Sequence, residues 1–445
     1  MGSILMPYVA KAISSNKVKQ FKYQVQKFKR VVSRKPPTLD IFLRIDDPYS
    51  FLLVQVLPAF LHRFAIEARF HTLLEVQQDM YPALDMWREY ALKDASHLAR
   101  LYELDYPFEW LSMTQAPSTL SFSRDLLEQA SARLLQAEAS DTYLNVAKRV
   151  FCEVWLKQTL SDLPSVSFAD LSEKRHSNEQ LLKRKGHYFG AMMYFEGEWY
   201  WGIDRLDHLE QRLIDAGLTQ FPQDKVRFNL TYRDFCQTPA PSNEKQASHN
   251  RLPLTIYWSA RSPYSYLGLL RAVALAEHYQ LPLEVKPVLP MMMRGMHVPQ
   301  NKKMYIFHDA KREADKFGIP YGFIGDPLGP AVERCYALLN YARAEDKLLP
   351  FLLSFAKAVN SEGIRAETDK GMQRILSRCG LSWSAAQAHI NGTHWKAEVE
   401  DNLNEMMQIG CWGVPSFRYG ELILWGQDRL GILEHHIQKN TSTPR

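Results

Sequence analysis

A chain of 445 residues that is 46% hydrophobic and 23% charged has the balance of a folded globular protein, which excludes general disorder. Its five cysteines, Cys152, Cys236, Cys335, Cys379 and Cys411, form no C-x-x-C pair, which argues against a zinc ribbon or a dithiol centre; no metal and a reducing, cytoplasmic setting are expected. The net charge of +5 is local: residues 1–39 hold nine Lys or Arg and no Asp or Glu, so the remainder carries −4.

Within the basic arm, Val18, Phe21, Val25, Phe28 and Val32 recur every three or four positions, which predicts a Lys-rich helix with an apolar stripe. Three readings are open: the stripe packs on the domain that follows, it meets an anionic membrane surface or partner, or the arm is an acid-poor presequence, for which Arg is scarce. No aromatic-and-basic groove motif supports nucleic acid. The chain has no run of about 18 apolar residues, so no membrane span is expected.

After Pro36-Pro37, Leu39–Ile45 reads as a strand, and Asp47-Pro48-Tyr49-Ser50-Phe51-Leu52 follows. Helical patterns come near Arg124–Ala137 and Asp141–Thr159, then two short strands, Ala191–Phe195 and Trp199–Trp201, and a helix after Asp204. The stretch Gln237–Ser248 is polar, carries two prolines and has no periodicity, which marks a linker. Beyond it the plan repeats. Leu252–Trp258 is rich in strand formers, Ser262 and Pro263 suit the N-cap and first position of a helix running to His278, and Leu283–Val288 reads as a second strand. Gly329 to Met407 is helical with breaks at Gly363, Gly380 and Gly392; Pro415–Tyr419 and Leu422–Trp425 form a hairpin around Gly420, and a helix closes the chain from Asp428 to Ile437.

The two halves share words as well as order. Ser262-Pro263-Tyr264-Ser265-Tyr266-Leu267 echoes residues 47–52 at an offset of 215, Tyr305 and Asp309 echo Tyr90 and Asp94 at the same offset, and Trp425-Gly426-Gln427-Asp428-Arg429-Leu430 echoes Trp201-Gly202-Ile203-Asp204-Arg205-Leu206. Three blocks in one order predict a tandem duplication. The expected architecture is α/β: two tandem thioredoxin-like domains, each with a helical insertion after the second strand. We expect an arm at 1–37, domains at 38–236 and 251–440, and a linker at 237–250.

Candidate chemistry gathers in the second half. Ser262 puts a hydroxyl at a helix N-terminus, where free N–H groups and the helix dipole favour an anion, although a plain capping serine has the same sequence. Gly413-Val414-Pro415-Ser416 precedes a strand at the position where thioredoxin-like domains hold a cis-proline; an ordinary trans turn is the alternative. Gly426-Gln427-Asp428-Arg429 is a glycine turn opening a helix, suited either to holding a ligand's carboxylate and ammonium or to simple capping. Lys302 reads as a surface lysine unless a loop carries it over the same cleft.

Taken together, Ser262-Pro263-Tyr264-Ser265, the segment from Lys302 to Asp309, Gly413-Val414-Pro415 and Gly426-Gln427-Asp428-Arg429 closely resemble the 2-hydroxychromene-2-carboxylate isomerase and kappa-class glutathione transferase family, relatives of the DsbA-like oxidoreductases. The resemblance runs over about 252–437 and implies glutathione as cofactor. It implies that Ser262 bonds the glutathione sulfur, Lys302 meets the glycyl end, Val414 beside Pro415 pairs with the cysteinyl backbone, and Gln427 with Asp428 hold the γ-glutamyl end. A small aromatic or electrophilic substrate is implied too: the sulfur adds to a conjugated double bond and leaves again in the isomerases, and attacks an electrophile in the transferases.

Departures are also visible. The asparagine that some relatives carry between the second strand and the lysine has no equivalent in Val288–Gly295, whose Met291, Met292 and Met293 read as core filling or as an apolar pocket wall. Cys411 reads as a buried structural thiol. In the first half Asp47 replaces Ser262, Trp87 stands at the position of Lys302, and Gly190-Ala191-Met192-Met193 lacks the proline, so glutathione should bind poorly there. That copy is expected to act as a lid, an interface or the stand-in for a dimer partner, an intramolecular pseudo-dimer. Two rival functions remain: a non-catalytic binding or scaffold protein, and a DsbA-like thiol oxidoreductase, which the lack of cysteine at 262–265 disfavours.

Overall fold

In the computed structural model, residues 5–75, 77–109, 122–160, 171–237 and 252–442 are described. Apart from Gln237, the expected linker lies outside them. The chain divides into two compact units, Lys22–Leu230 and a second made of Met1–Phe21 with Thr231–Arg445.

Two helices open the chain, α1 (Met6–Ile13) and α2 (Asn16–Ser33). In the second unit, α1 lays Tyr8 against Phe323, ring centroids 5.2 Å apart. Residues of α2 from Lys22 onward belong to the first unit and reach it through polar groups: Tyr23 donates to Glu198 Oε2 at 2.6 Å and Arg30 pairs with Glu196. The expectation that the apolar stripe packs on the following domain is overturned, because Phe21 is 65% and Phe28 68% exposed. The anchoring groups lie on the other side of the helix.

The first unit continues with β1 (Thr38–Arg44), α3 (Pro48–Leu61), β2 (Glu67–Leu73), α4 (Leu84–Leu101), α5 (Arg124–Ala137), α6 (Tyr143–Cys152), α7 (Ser172–Lys185), β3 (Met192–Phe195), β4 (Glu198–Trp201) and α8 (Leu206–Asp215). Its sheet runs β2-β1-β3-β4, with β1 and β2 parallel and the remaining pairs antiparallel. The second unit has β5 (Leu254–Trp258), α9 (Pro263–Tyr279), β6 (Leu283–Pro287), α10 (Gln300–Lys316), α11 (Pro330–Ala337), α12 (Leu339–Ala344), α13 (Leu348–Ser361), α14 (Asp369–Arg378), α15 (Trp383–Ala386), α16 (Trp395–Gln408), β7 (Ser416–Tyr419), β8 (Leu422–Trp425) and α17 (Leu430–Ser442). Its sheet, β6-β5-β7-β8, has the same order and directions. Each unit is therefore a thioredoxin-like α/β fold with its helical insertion after the second strand.

Burial explains the central strands. Leu254, Ile256 and Trp258 of β5 are buried, as are their neighbours Thr255 and Tyr257, so the strand is covered on both faces. In register, Ile256 faces Val285 on β6 and Phe417 on β7. Helix α9 crosses this sheet with Leu267, Leu269, Ala272 and Leu275 buried in the core. The residues that precede its first turn therefore sit at the end of β5, held by the packing beneath them.

Candidate active site

Ser262 is the N-cap of α9. Its backbone is extended (φ −75°, ψ 122°), its hydroxyl oxygen accepts from the Ser265 N–H at 3.2 Å, and Pro263 follows at the first helical position, where no N–H is needed. The same hydroxyl donates to the Val414 carbonyl at 3.4 Å. The helix N-terminus and the turn before β7 thus meet at one hydroxyl.

The Val414–Pro415 peptide is cis, the isomer its place before the hairpin suggested. Helix α9 passes so close that a Cβ on Gly268 would stand 3.0 Å from Pro415 Cγ, which explains a glycine inside that helix. Val414 is half-buried, and its own N–H has no protein acceptor among the described residues. An unpaired donor and a weakly engaged carbonyl, side by side on a turn, suit the backbone of an extended peptide.

The third block joins through Pro415, whose carbonyl accepts from the Gly426 N–H at 2.9 Å. Gly426 has φ +109°, a conformation that disfavours any side chain. Here the expected role of one residue changes. The Gln427 side chain is 1% exposed and turned inward, donating to Glu313 Oε2 at 2.5 Å and accepting from Arg271 Nη1 at 2.7 Å. It ties the turn to α10 and α9, so its side chain positions the turn, whereas Asp428 is only partly buried beside Arg429 at 3.7 Å.

Lys302 lies near the start of α10 and is buried, which overturns its default reading as a surface lysine, and a helix, not a loop, carries it. The same helix carries Asp309, which accepts from the Tyr264 hydroxyl at 2.7 Å and from Arg312 at 2.8 Å, so α10 is fastened to the first turn of α9. Lys302 precedes Asp309 by two helical turns, about 10 Å along the axis. Only 8% of it is exposed, and burial pulls its ammonium down to about 8. A buried lysine held low in this way gains from an arriving carboxylate.

Sequence reasoning missed the wall beside Val414. Arg294, at the end of a short turn, donates through Nη2 to the Trp412 carbonyl at 3.3 Å, and burial lowers its guanidinium. The rings of Trp412 and Trp425 lie 4.8 Å apart, and a Cβ on Gly413 would be 2.6 Å from the Trp425 ring. Met291, Met292 and Met293 are half-buried rather than core residues, with Met292 sulfur accepting from Arg261 at 3.1 Å and Met293 touching the core edge. The pairing of Gly413 with Trp425 was the available signal, since Phe189 and Trp201 stand at the same spacing in the first half. Cys411 is buried, as expected of a structural thiol.

In the first unit the corresponding place is filled by its own side chains. Asp47 caps α3, accepting from the Ser50 N–H at 3.1 Å and the Ser50 hydroxyl at 2.6 Å, and a Cβ on Gly190 would fall 2.7 Å from its carboxylate. Burial pushes the Asp47 carboxyl up, although the nearby Arg44 charge and the Ser50 bonds oppose it. Ala191 takes the place of the proline and still accepts from the Gly202 N–H at 2.8 Å. Trp87 packs on Tyr81 at 4.9 Å, and Trp201 lies 5.6 Å from Phe189 and 4.7 Å from Tyr49. A further bond common to both units is the Tyr49 hydroxyl donating to Asp94 at 2.8 Å as Tyr264 does to Asp309.

Residues 254–438 match the family model of the DSBA-like thioredoxin domain. The chain is similar to the 2-hydroxychromene-2-carboxylate isomerase of Sphingobium xenophagum, 25% identical over 192 residues, covering 41% of this chain and 97% of the relative. It is also similar to the enzyme of the same name from Pseudomonas putida, 25% identical over 186 residues, 40% of this chain and 90% of the relative. Among solved structures, a 2-hydroxychromene-2-carboxylate isomerase aligns with 43% of this chain and 96% of its own at a TM-score of 0.38 and 23% identity. The cytosolic disulfide reductase DsbM from Pseudomonas aeruginosa with GSH aligns at a TM-score of 0.32 and 16% identity, over 43% of this chain and all of its own.

Proposed function

We propose that this chain, whose residues 254–438 form a DSBA-like thioredoxin domain, binds glutathione at the N-terminus of α9 and is a glutathione-dependent isomerase or transferase for a small conjugated or electrophilic compound. One observation carries the reading: the Ser262 hydroxyl, the cis Val414–Pro415 turn and the Gly426–Asp428 turn are joined by direct hydrogen bonds. The names of the relatives support the isomerase class. Four of the five cysteines stand far from the site in sequence, the fifth, Cys411, is buried, and residues 262–265 hold none, so a dithiol exchange has no reacting atoms there.

When bound, glutathione supplies a nucleophilic sulfur, useful as the thiolate. The chain's own residues do the rest. A free thiol titrates near about 8.5, and each unit of depression requires about 1.4 kcal/mol of preference for the anion. Ser262 can supply this, because its present bond to the Val414 carbonyl is long and a hydroxyl rotor turns to a better acceptor at small cost. The adjoining helix terminus adds to the same preference. Val414 offers its free N–H and its carbonyl to a peptide backbone, while Lys302 and Asp428 bring one charge of each sign for a carboxylate and an ammonium. Gly413 adds no side chain beside the Trp425 ring, and Met291, Met292 and Trp412 provide an apolar wall for an organic substrate.

Thermal unfolding of the full chain with and without glutathione tests the reading. A rise in melting temperature that grows with glutathione concentration is expected. No rise at millimolar glutathione in the folded protein would leave the scaffold alternative in its place.

A further inference from the structure

Helix α2 presents to solvent the side that a surface helix ordinarily buries. Residues seven apart share a face, which sorts its side chains into rows. Tyr23 and Arg30 form the row that holds the helix to the first unit, through Glu198 and Glu196, with the Arg212 guanidinium 4.0 Å over the Tyr23 ring. Val32 is nine residues from Tyr23, about 180° around the axis. That end of the helix faces away from the unit: Phe28, Val31 and Val32 are 68%, 63% and 66% exposed, while Val25, one row-step before Val32, is half-buried. Lys22 and Lys29 border that row, Lys27 and the following Arg34 and Lys35 are also exposed, and no acid occurs before residue 40.

We propose that this face of α2, centred on Phe28, Val31 and Val32 and bordered by Lys22 and Lys29, docks on a lipid surface bearing anionic headgroups. Charge complementarity selects that occupant. The apolar row sinks among acyl chains while the lysine stems reach back to the phosphate level. A second copy of the chain is the poorer fit: the row does follow a seven-residue repeat, but Lys22 and Lys29 beside it would meet the partner's identical lysines. The contact is peripheral, since no described helix is long and apolar enough to cross a membrane.

Sedimentation of the full chain with vesicles tests this. Binding is expected to vesicles of phosphatidylcholine with phosphatidylserine, to be absent on phosphatidylcholine alone, and to weaken with added salt. The double variant Phe28→Gln/Val32→Gln should bind the anionic vesicles about tenfold less well, and Lys22→Glu/Lys29→Glu likewise. Both should melt like the parent, because these side chains are exposed. Failure to sediment with anionic vesicles, or undiminished binding by Phe28→Gln/Val32→Gln, overturns the proposal. A dimer that this variant dissociates would assign the row to a second copy, and retention on polyglutamate without vesicle binding would assign it to an acidic polypeptide.

Discussion

Ser262 serves two purposes with one oxygen, and a pair of substitutions separates them. As an acceptor it caps α9; as a donor it reaches Val414 and, in our proposal, the bound sulfur. Ser262→Ala removes both, at a cost of about 1 kcal/mol in stability. Ser262→Asp keeps the cap, as Asp47 does in the first unit, but places a negative charge where a thiolate is needed. We expect the alanine variant to raise the pKa of bound glutathione by about one unit or more, read from thiolate absorbance, and the aspartate variant to lose binding while melting near the parent. Lys302 adds a pH dependence. Its ammonium is already held near about 8 by burial, so the proportion of charged lysine in the free protein falls as pH rises through that value. Glutathione affinity should decline between neutral and about pH 9, and Lys302→Met should flatten the decline once the titration of the thiol itself is subtracted. Calorimetric titrations across that range check it.

At the scale of elements, the hairpin and the first helix of each unit decide whether the site is open or filled. Phe189 covers Trp201 in the first unit, whereas in the second Gly413 adds no ring and packs its backbone against Trp425, beside Trp412. Gly413→Phe should therefore push the Trp425 ring aside and crowd the second site, abolishing the melting rise with glutathione at some cost in stability. In α3 the buried Asp47 carboxyl has a folded-state value above its unfolded one, so it binds its proton more tightly when folded. That contribution is complete below the unfolded value and is lost as pH rises through the raised one. Asp47→Asn keeps the cap without the charge, and the protection of α3 amides from hydrogen exchange, taken relative to their intrinsic rates, should then rise at neutral pH and no longer fall as pH rises.

Sequence pattern read these elements unevenly. Strands such as Leu254–Trp258 were legible from their β-branched and aromatic residues, and the site blocks from their repeated words. Helix α10 was not, because its buried side is built mostly from Lys302, Asp309, Arg312 and Glu313, and Ala310 and Ala314 alone make too weak an apolar period. The inward turn of Gln427 depends on Arg271 and Glu313, over a hundred positions away. In α2 the apolar period was real but the reading that packs it on the following domain fails, since polar bonds hold the opposite side.

Across the whole molecule, our proposal places chemistry in one unit of two. The first keeps the sheet, the Tyr49–Asp94 bond and the hairpin, yet fills the equivalent place with Asp47, Trp87 and Phe189. Hydrogen exchange with glutathione present should accordingly protect the start of α9, residues 413–415 and residues 426–430, and leave α3 and β3 unchanged. The most direct measurement is a calorimetric titration of the full chain with glutathione, run beside Ser262→Asp and Asp47→Ala. One site per chain, lost in Ser262→Asp and retained in Asp47→Ala, is the predicted result; two sites, or binding that survives Ser262→Asp, would contradict it.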